Sequence, residues 1–323
     1  MNNFLNKPIA IIGAGSIGER YIRVLNNLRF SNLIVYRRKS KLFKDIGSAN
    51  VKVVHTFEDL YAESVFCAII ATPTNLHLEQ AILLAEQGVH LLVEKPLSHT
   101  LDGINILRKI VEKNNIFIHI GYMMRFHPII LELKSIINHQ EYGNLISIQS
   151  KWAEFLPDWH PWEDYRTSYA SNKKMGGGVA LTLSHDIDLA FYLAAGQLKM
   201  FSTYKNYCPS LEIDVESSAD IILKFDNNII ANIHLNFFEK IKERFTKLCF
   251  ENASVNFSYF ENKLVIKNKE IEIVKIIDCF ERDDLFRDQL VYFFSILSSN
   301  NYYHNYSIEN LNTSSSIIKI CTE

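Results

Sequence analysis

A strand that ends in a charged pair has the clearest chemistry in this sequence. Residues 89–93 are a short apolar run typical of a buried strand, and Glu94, Lys95 and Pro96 follow directly. Proline lacks an N–H and ends a strand. Burying charges is costly, and open α/β sheets bind ligands at the carboxyl ends of their strands. We therefore interpret Glu94 and Lys95 as site residues; the alternative is a strand that surfaces into an ordinary loop.

A second candidate group follows three consecutive glycines. Thr182, His185 and Asp188 recur every three residues, so they would share one face of a helix predicted over residues 179–195. A histidine in the first turns, beside a hydroxyl and a carboxylate, is a candidate for proton transfer. A metal site that includes Asp186 is the alternative. We expect no metal, because Asp186 would point away from the others and no histidine pair has ligand spacing.

A glycine-rich turn predicts a nucleotide site. The β-branched run at residues 9–12 is followed by GAGSIG at 13–18 and then by an amphipathic helix. In this context Gly13 makes the tight turn, Gly15 lets the backbone approach a pyrophosphate, and Gly18 lets helix and strand pack closely. A glycine-rich turn without a ligand is the alternative.

The end of the second predicted strand bears on which dinucleotide binds. A carboxylate about 20 residues past the glycines would bind the ribose 2′-hydroxyl of NAD. Here the strand ends in Arg37 and Arg38, whose guanidinium groups suit the 2′-phosphate of NADP. We expect NADP, with NAD possible; a solvated helix start is the other interpretation.

Six predicted strands alternate with helices over residues 1–122. The pattern predicts a doubly wound Rossmann domain in an α/β protein. Right-handed crossovers would bring the ends of the first, fourth and fifth strands to one edge. The glycine turn, residues 72–77 and Glu94-Lys95 would then meet at one ligand.

Residues 123–323 predict a second, α+β domain. Period-two alternation over residues 145–155 and 199–275 indicates a largely antiparallel sheet with one face covered by helix and one open. We expect the open face, including Phe237, Phe257 and Tyr259, to pair two copies in a homodimer or homotetramer. The aromatic, polar stretch at 155–169 is typical of a ligand loop, although a packed surface loop is the alternative.

Composition excludes several classes of protein. The chain has 323 residues, 48% of them hydrophobic and 22% charged, which suits two folded domains. A net charge of −2 without a basic run gives no support for nucleic acid or an anionic membrane surface. No CxxC pair, signal peptide or membrane span is predicted, so we expect a soluble, cytoplasmic protein.

These motifs together resemble the Gfo/Idh/MocA family of NAD(P)-dependent oxidoreductases. The resemblance covers essentially the whole chain. It rests on residues 13–18, 71–77, 94–96 and 121–128 and on the glycine-led helix with His185. Residues 156–196 also resemble a subgroup that acts on sugars in bacterial cell-surface carbohydrate pathways.

The resemblance implies a role for each matching residue. Lys95 matches the family's lysine beside the nicotinamide, and His185 matches its catalytic histidine. The family often has an aspartate where Thr182 stands, and threonine cannot carry charge. The implied reaction is hydride transfer between nicotinamide and a ring carbon of a sugar, with His185 moving the hydroxyl proton. Lys95 would stabilise charge on the same oxygen.

The predicted site therefore has three groups of residues. The catalytic residues are Lys95 and His185. The cofactor ligands are Gly13, Gly15, Ser16, Ile17, Gly18, Arg37, Arg38, Thr72, Pro73, Asn75, His77, Glu94 and Lys95. The substrate ligands are Arg125, His160, Tyr165, Arg166, Tyr169 and Thr182. Two alternatives on the same fold are an NAD-dependent glycosidase and a non-catalytic sugar-responsive regulator; a regulator should have lost the lysine or the histidine.

Overall fold

The chain forms two units in the computed structural model, which describes residues 2–39, 42–159, 161–277, 280–299 and 303–323. The first unit contains residues 1–123 and 281–315, and the second contains 124–280 and 316–323. The sequence-based division at 122/123 placed residues 281–315 with the second domain. The structure groups this segment with the first unit, because its apolar side chains are buried there.

The first unit alternates strands and helices. Its elements before residue 123 are β1 (Ile9–Ile12), α1 (Ser16–Asn27), β2 (Leu33–Tyr36), β3 (Val51–Val54), α2 (Phe57–Ala62), β4 (Cys67–Ile70), α3 (Thr74–Glu86), β5 (His90–Val93), α4 (Ile104–Asn114) and β6 (Ile118–Ile120). The strands form one parallel sheet in the order β3-β2-β1-β4-β5-β6. This is the predicted Rossmann sheet. Strands β1, β4 and β5 are adjacent and buried throughout most of their length, as their continuous apolar runs predict.

The second unit is built on a mixed sheet. Its elements are α5 (Pro128–Asn138), β7 (Leu145–Phe155), α6 (Val179–Thr182), α7 (His185–Ala194), β8 (Leu198–Asn206), β9 (Ser218–Phe225), β10 (Ile230–Asn236), β11 (Phe238–Phe250), β12 (Ser254–Ser258), β13 (Lys263–Lys267) and β14 (Glu272–Ile276). The strand order is β14-β13-β12-β11-β7-β10-β9-β8. Only the β7–β10 pair is parallel; every other pairing between these strands is antiparallel.

Two helices end the chain. They are α8 (Arg282–Ser298) and α9 (Tyr303–Thr322), and the division between the units falls within α9. Helix α8 begins with a capping box in which Glu281 and Asp284 satisfy each other's backbone N–H groups. Its inward side chains include Phe286, Phe293 and Phe294, all nearly inaccessible to solvent. In the described part of the chain, no helix has the length and apolar character needed to cross a membrane.

The aromatic residues expected on the open face of the sheet are buried instead. Phe237 and Phe257 have no exposed surface, and Tyr259 is 9% exposed. On the helix-covered face of the sheet, Phe257 packs on His127 and on Tyr259. Phe237 packs edge-on against Trp159. The prediction that these three side chains lie on the exposed face is therefore wrong. It took apolar character as a sign of exposure, whereas alternation assigns such residues to the covered face.

The predicted helix over residues 179–195 is two helices. Helix α6 ends at Thr182, and α7 begins at His185 after a short break at Leu183 and Ser184. Thr182 and His185 therefore lie at a junction and do not share a continuous helical face. The periodicity of the apolar residues continues across the break, so the sequence pattern alone did not reveal it.

Candidate active site

The glycine turn after β1 has the shape of a nucleotide cradle. Gly13 has a φ of +94°, and a Cβ there would lie 2.8 Å from the Thr72 side chain. A Cβ on Gly18 would lie 2.0 Å from the Gly13 carbonyl oxygen, so only glycine fits at the start of α1. A Cβ on Gly15 would meet nothing within 4 Å. The backbone therefore has open space where a pyrophosphate would approach, and Ser16 begins α1 beside it.

The ends of β1, β4 and β5 meet at one edge of the sheet, as predicted. Ala71 donates its N–H to the Ile12 carbonyl oxygen at 2.9 Å, and Glu94 donates to the Ile70 carbonyl oxygen at 2.9 Å. The glycine turn, the loop that begins at Thr72, and Glu94-Lys95 are thus neighbours. The Lys95–Pro96 peptide bond is cis.

His77 connects two of these loops. Its imidazole is buried, with Nδ1 2.8 Å from the Pro96 carbonyl oxygen and Nε2 2.7 Å from the Thr72 carbonyl oxygen. Burial lowers the pKa of His77, and the carbonyl contacts oppose that effect. The Thr72 hydroxyl in turn donates to the Gln80 side chain at 2.7 Å. His77 and Thr72 therefore fix the loop beside Lys95, while Pro73 is exposed and Asn75 is partly exposed at the start of α3.

Glu94 is held by a buried hydroxyl that the sequence analysis did not single out. The Tyr21 hydroxyl donates to Glu94 Oε1 at 2.7 Å, and Gln289 Nε2 donates to the Tyr21 oxygen at 2.8 Å. The Lys95 backbone N–H approaches Glu94 Oε2 at 3.2 Å. Burial raises the pKa of Glu94, and Tyr21 and Lys95 oppose that rise. The sequence did contain a signal for this contact. Tyr21 lies on the apolar face of α1, and a buried tyrosine hydroxyl needs a hydrogen-bond partner.

The predicted 2′-phosphate ligands follow β2. The Arg37 guanidinium lies over the Phe43 ring, 4.6 Å from its centroid, and Arg38 is exposed. The His55 ring lies 2.7 Å from the Arg37 carbonyl oxygen. Arg37 therefore has a fixed backbone and a stacked guanidinium, which is a suitable arrangement for an anion ligand.

In the second unit, His185 lies at the start of α7 and is 4% exposed. Its ring lies roughly parallel to Trp152, with centroids 6.3 Å apart. Trp152 also contacts Arg244, whose guanidinium carbon is 3.6 Å from the indole centroid and 4.2 Å from the Tyr259 centroid. His185 therefore lies in a cluster with Trp152 of β7, Arg244 of β11 and Tyr259.

Two buried aspartates anchor α7, each on its own arginine. Asp186 Oδ2 accepts from Arg244 at 2.7 Å, and its Oδ1 accepts from the Ser150 hydroxyl at 2.6 Å. Asp188 accepts two hydrogen bonds from Arg125, at 2.8 and 2.6 Å. As the sequence analysis expects, the two carboxylates point to different partners. Burial raises the pKa of Asp188, and Arg125 opposes that rise.

The predicted substrate ligands fall into different environments. Thr182 is buried at the end of α6, whereas Tyr169 is 40% exposed. Arg166 is exposed and pairs with Asp164 and Glu212, and the Tyr165 hydroxyl donates to the Leu211 carbonyl oxygen at 3.0 Å. His160 lies outside the described residues.

Arg244 and Trp152 were missed by the sequence analysis, which considered Asp186 only as a possible metal ligand. Arg244 precedes Thr246, Leu248 and Phe250, which occupy the covered face of β11 at every second residue. An arginine in that alternation is a signal of a buried charge that must have a partner. Trp152 pairs with Arg244 across β7 and β11.

Comparisons with known proteins agree with this fold. Residues 7–122 match the model of the oxidoreductase family with an NAD-binding Rossmann fold, and residues 130–256 match the C-terminal domain model of GFO/IDH/MocA proteins. Glucose-6-phosphate 3-dehydrogenase of Bacillus subtilis (strain 168) is 26% identical over 242 residues, which are 70% of this chain and 67% of that protein. An uncharacterised oxidoreductase of the same strain is 28% identical, and the match spans 65% of its length.

Solved structures with low sequence identity share the fold. Levoglucosan dehydrogenase in complex with NADH has a TM-score of 0.82 at 16% identity, with 98% of this chain and 97% of that chain covered. UDP-N-acetylglucosamine 3-dehydrogenase from Acidithiobacillus ferrooxidans has a TM-score of 0.74 at 16% identity, with the same coverage of both chains.

Proposed function

Because the chain belongs to the Gfo/Idh/MocA family of oxidoreductases, we propose that it transfers a hydride between NADP and a ring carbon of a sugar. The observation that carries the proposal is the meeting of the glycine cradle with Glu94-Lys95 at one edge of the Rossmann sheet. The retention of both Lys95 and His185 favours an enzyme over a sugar-responsive regulator. When bound, the nicotinamide accepts or supplies the hydride.

The protein's own residues handle the proton and the charge. His185 takes the proton of the reacting hydroxyl during oxidation and returns it during reduction. Lys95 donates a hydrogen bond to the same oxygen and stabilises its developing negative charge. The glycine turn and the start of α1 bind the pyrophosphate, with Ser16, Ile17, Thr72, Pro73, Asn75 and His77 around the rest of the nucleotide.

The substrate class we propose is an amino sugar or a nucleotide-linked sugar of bacterial surface-carbohydrate metabolism, acted on in the cytoplasm. The names of the relatives support a sugar: glucose 6-phosphate, levoglucosan and UDP-N-acetylglucosamine appear in them. Among the substrate ligands, Arg125, Tyr165, Arg166 and Tyr169 offer groups for hydroxyls or an acidic substituent. Thr182 offers a hydrogen bond but no charge at the position where the family often has an aspartate, and His160 completes the set.

We also propose that the chain works as a homodimer or homotetramer through the open face of its second sheet. That face carries exposed Met200, Ile222 and Ile230 near one edge and Val274 and Ile276 near the other. Polar Gln149 and Asn232 lie between them. Sedimentation at micromolar concentration is the test, and a monomer alone would contradict the proposal.

The catalytic assignment is tested by Lys95→Met and His185→Asn. We expect turnover of the sugar substrate to fall by about 10²-fold or more in each, because a positioned charge stabiliser or proton carrier is lost. The His185 variant should also lose the acid limb of the pH profile. Cofactor affinity should survive, because the glycine turn and the arginines supply most of the binding energy. Screening nucleotide-linked and free amino sugars by nicotinamide absorbance supplies the substrate.

Two exposed residues provide matched controls. Lys113→Met and His139→Asn make the same chemical changes on the surface, and both should keep wild-type turnover. If Lys95→Met and His185→Asn retain more than about a tenth of wild-type turnover, the assignment is wrong.

The cofactor preference is tested by the double variant Arg37→Ala, Arg38→Ala. We expect NADPH affinity to fall by about tenfold to a hundredfold while NADH affinity changes little, because only NADPH carries the 2′-phosphate. Titration of cofactor fluorescence measures both, with Arg108→Ala as the control. Tighter binding of NADH than NADPH by the wild type would rule out the preference.

A further inference from the structure

We propose that Tyr21 and Gln289 are positioning residues of the nucleotide side of the site, which orient the Glu94 carboxylate beside Lys95 and favour its ionised form. This inference rests on the proposed function for the role of Lys95. It concerns residues of the first unit only.

Three hydrogen-bond donors fix this arrangement: two reach the Glu94 carboxylate, and the third reaches the Tyr21 hydroxyl oxygen. The Tyr21 hydroxyl has a single hydrogen, and at 2.7 Å from Glu94 Oε1 it donates that hydrogen to the carboxylate. Gln289 Nε2 is 2.8 Å from the Tyr21 oxygen and donates to it, which directs the hydroxyl hydrogen away from Gln289 and towards Glu94. The Lys95 N–H approaches the other carboxylate oxygen at 3.2 Å.

The arrangement of donors is rigid because its members are packed. Tyr21 and Gln289 have no exposed surface. The Tyr21 ring lies edge-on against Phe286 of α8, with centroids 5.0 Å apart. A Cβ on Gly121 would lie 3.1 Å from Glu94 Oε1, so the carboxylate lies close against a position that only glycine fits without displacing it.

The groups around Glu94 explain why its ionisation depends on Tyr21. Burial raises the pKa of Glu94, and the Tyr21 hydroxyl, the charge of Lys95 and the charge of Arg282 on α8 lower it. Tyr21 itself stays neutral, because burial and Glu94 raise its pKa well above the usual value. Removal of the hydroxyl leaves the carboxylate with one fewer donor, so it binds a proton at higher pH.

Glu94 influences Lys95 through both the backbone and its charge. The carboxylate accepts from the Lys95 N–H, and an ionised Glu94 attracts the ammonium group. A neutral Glu94 would attract that ammonium group less. The position of Lys95 at the reacting oxygen would then be less defined, although no residue that touches the substrate had changed.

The variants are Tyr21→Phe, Gln289→Met and Gln289→Glu in the full chain. Tyr21→Phe should raise the pKa of Glu94 by about one unit, the effect of one hydrogen bond to a charged group. Gln289→Met should act in the same direction but less, because the hydroxyl still reaches Glu94. Gln289→Glu should act most strongly, because the new carboxylate competes for the tyrosine hydrogen.

Surface residues of the same unit supply the controls. Tyr306→Phe removes an exposed tyrosine hydroxyl from α9, and Gln87→Met removes an exposed amide at the end of α3. Both should leave the pKa of Glu94 and the pH profile as in the wild type.

The first readout does not depend on turnover. In protein labelled with ¹³C-glutamate, the carboxyl resonance that is missing from Glu94→Gln belongs to Glu94, and its titration gives the pKa directly. An upward shift in Tyr21→Phe supports the inference. An unchanged pKa in Tyr21→Phe overturns it, even if the melting temperature falls, because the pair would then only join α1 to α8.

The second readout is the pH profile of kcat with the sugar substrate. In Tyr21→Phe, the acid limb assigned to His185 should be joined by a second fall in kcat, centred on the pKa that the ¹³C titration gives for Glu94. A shifted ¹³C titration without this second fall in kcat would overturn the link to Lys95. If the wild type oxidises or reduces no sugar, the proposed function fails, and the titration still decides whether Tyr21 and Gln289 control Glu94.

Discussion

The two units hold their buried carboxylates in different ways. In the first unit, Glu94 faces a neutral hydroxyl and a backbone N–H. In the second unit, Asp186 and Asp188 each face a guanidinium group at 2.6–2.8 Å. A carboxylate that faces a guanidinium is committed to its charge, whereas one that faces a hydroxyl responds to pH and to nearby charge.

The difference matches the roles we propose for the neighbouring residues. Lys95, beside Glu94, must respond when the charge on the nicotinamide changes during hydride transfer. His185, at the start of α7, must stay in place, and the paired aspartates hold its helix to β7 and to Arg125. The buried ion pairs thus fix the position of α7, whereas the hydroxyl contact leaves the ionisation of Glu94 sensitive to its surroundings.

Arg244→Met should produce the largest loss of stability. The variant removes the guanidinium from between Trp152 and Tyr259 and takes the charged partner from the buried Asp186, which keeps its hydrogen bond from the Ser150 hydroxyl. We expect the free energy of unfolding to fall by about 3–5 kcal/mol, the cost of breaking a buried pair. Urea denaturation at pH 7 measures it.

A second variant separates the charge from the packing. Arg244→Met combined with Asp186→Asn should recover part of the loss, because no uncompensated charge remains buried. Lys247→Met changes a partly exposed lysine on the same strand and should be close to neutral. An Arg244→Met variant as stable as this control would show that the Arg244–Asp186 pair does not stabilise the position of α7.

Arg125→Met should cost less, about 2–3 kcal/mol, because Arg125 is partly exposed and water reaches its side of the pair. The loss should depend on pH. Without Arg125, the pKa of Asp188, already raised by burial, rises further, so the folded state gains a proton as the pH falls. The difference from wild type should therefore shrink below neutral pH in denaturation experiments.

An exposed ion pair gives the comparison for Arg125. Lys267 pairs with Glu272 at 3.0 Å on the surface, and Lys267→Met should cost at most about 1 kcal/mol. If the loss of stability in Arg125→Met grows as the pH falls, Asp188 does not gain the proton that we expect in this variant.

The nucleotide side of the molecule could be predicted from the sequence far better than the second unit. Gly13, Gly15 and Gly18 act through the backbone, and their spacing states the geometry directly. The continuous apolar runs of β1, β4 and β5 identify central parallel strands. Local pattern therefore sufficed for the order of this sheet and for the meeting of its strand ends.

In the second unit, alternation predicted strands without their direction or partners. Strands β7 and β10 pair in parallel, and the sequence of neither strand indicates this direction. Arg125 and Asp188 are 63 residues apart, and nothing local pairs them. The same limit applies to Tyr21 and Gln289, because α8 returns to the first unit only through long-range packing of apolar residues.

The smallest effect concerns His127, which feels the same guanidinium as Asp186. His127 is buried beside Phe257 and Phe280, and its Nδ1 accepts from the Ile129 N–H at the start of α5. Burial lowers its pKa from 6.5 to about 4, and the charge of Arg244 adds to that effect. As the pH falls below 6.5 the unfolded chain binds a proton that the folded chain refuses, so stability is lost between pH 6.5 and about 4.

His127→Asn tests this effect, because asparagine keeps an acceptor for the Ile129 N–H and does not titrate. The variant should melt a few degrees lower at pH 7.5, since ring packing is lost, by about 1 kcal/mol or somewhat more. Its melting temperature should then fall less steeply than that of wild type between pH 7 and 5. His139→Asn, at the exposed end of the same helix, should keep the wild-type slope. Equal slopes for His127→Asn and wild type would mean that the folded second unit does not lower the pKa of His127. The charge of Arg244 would then affect Asp186 but not His127.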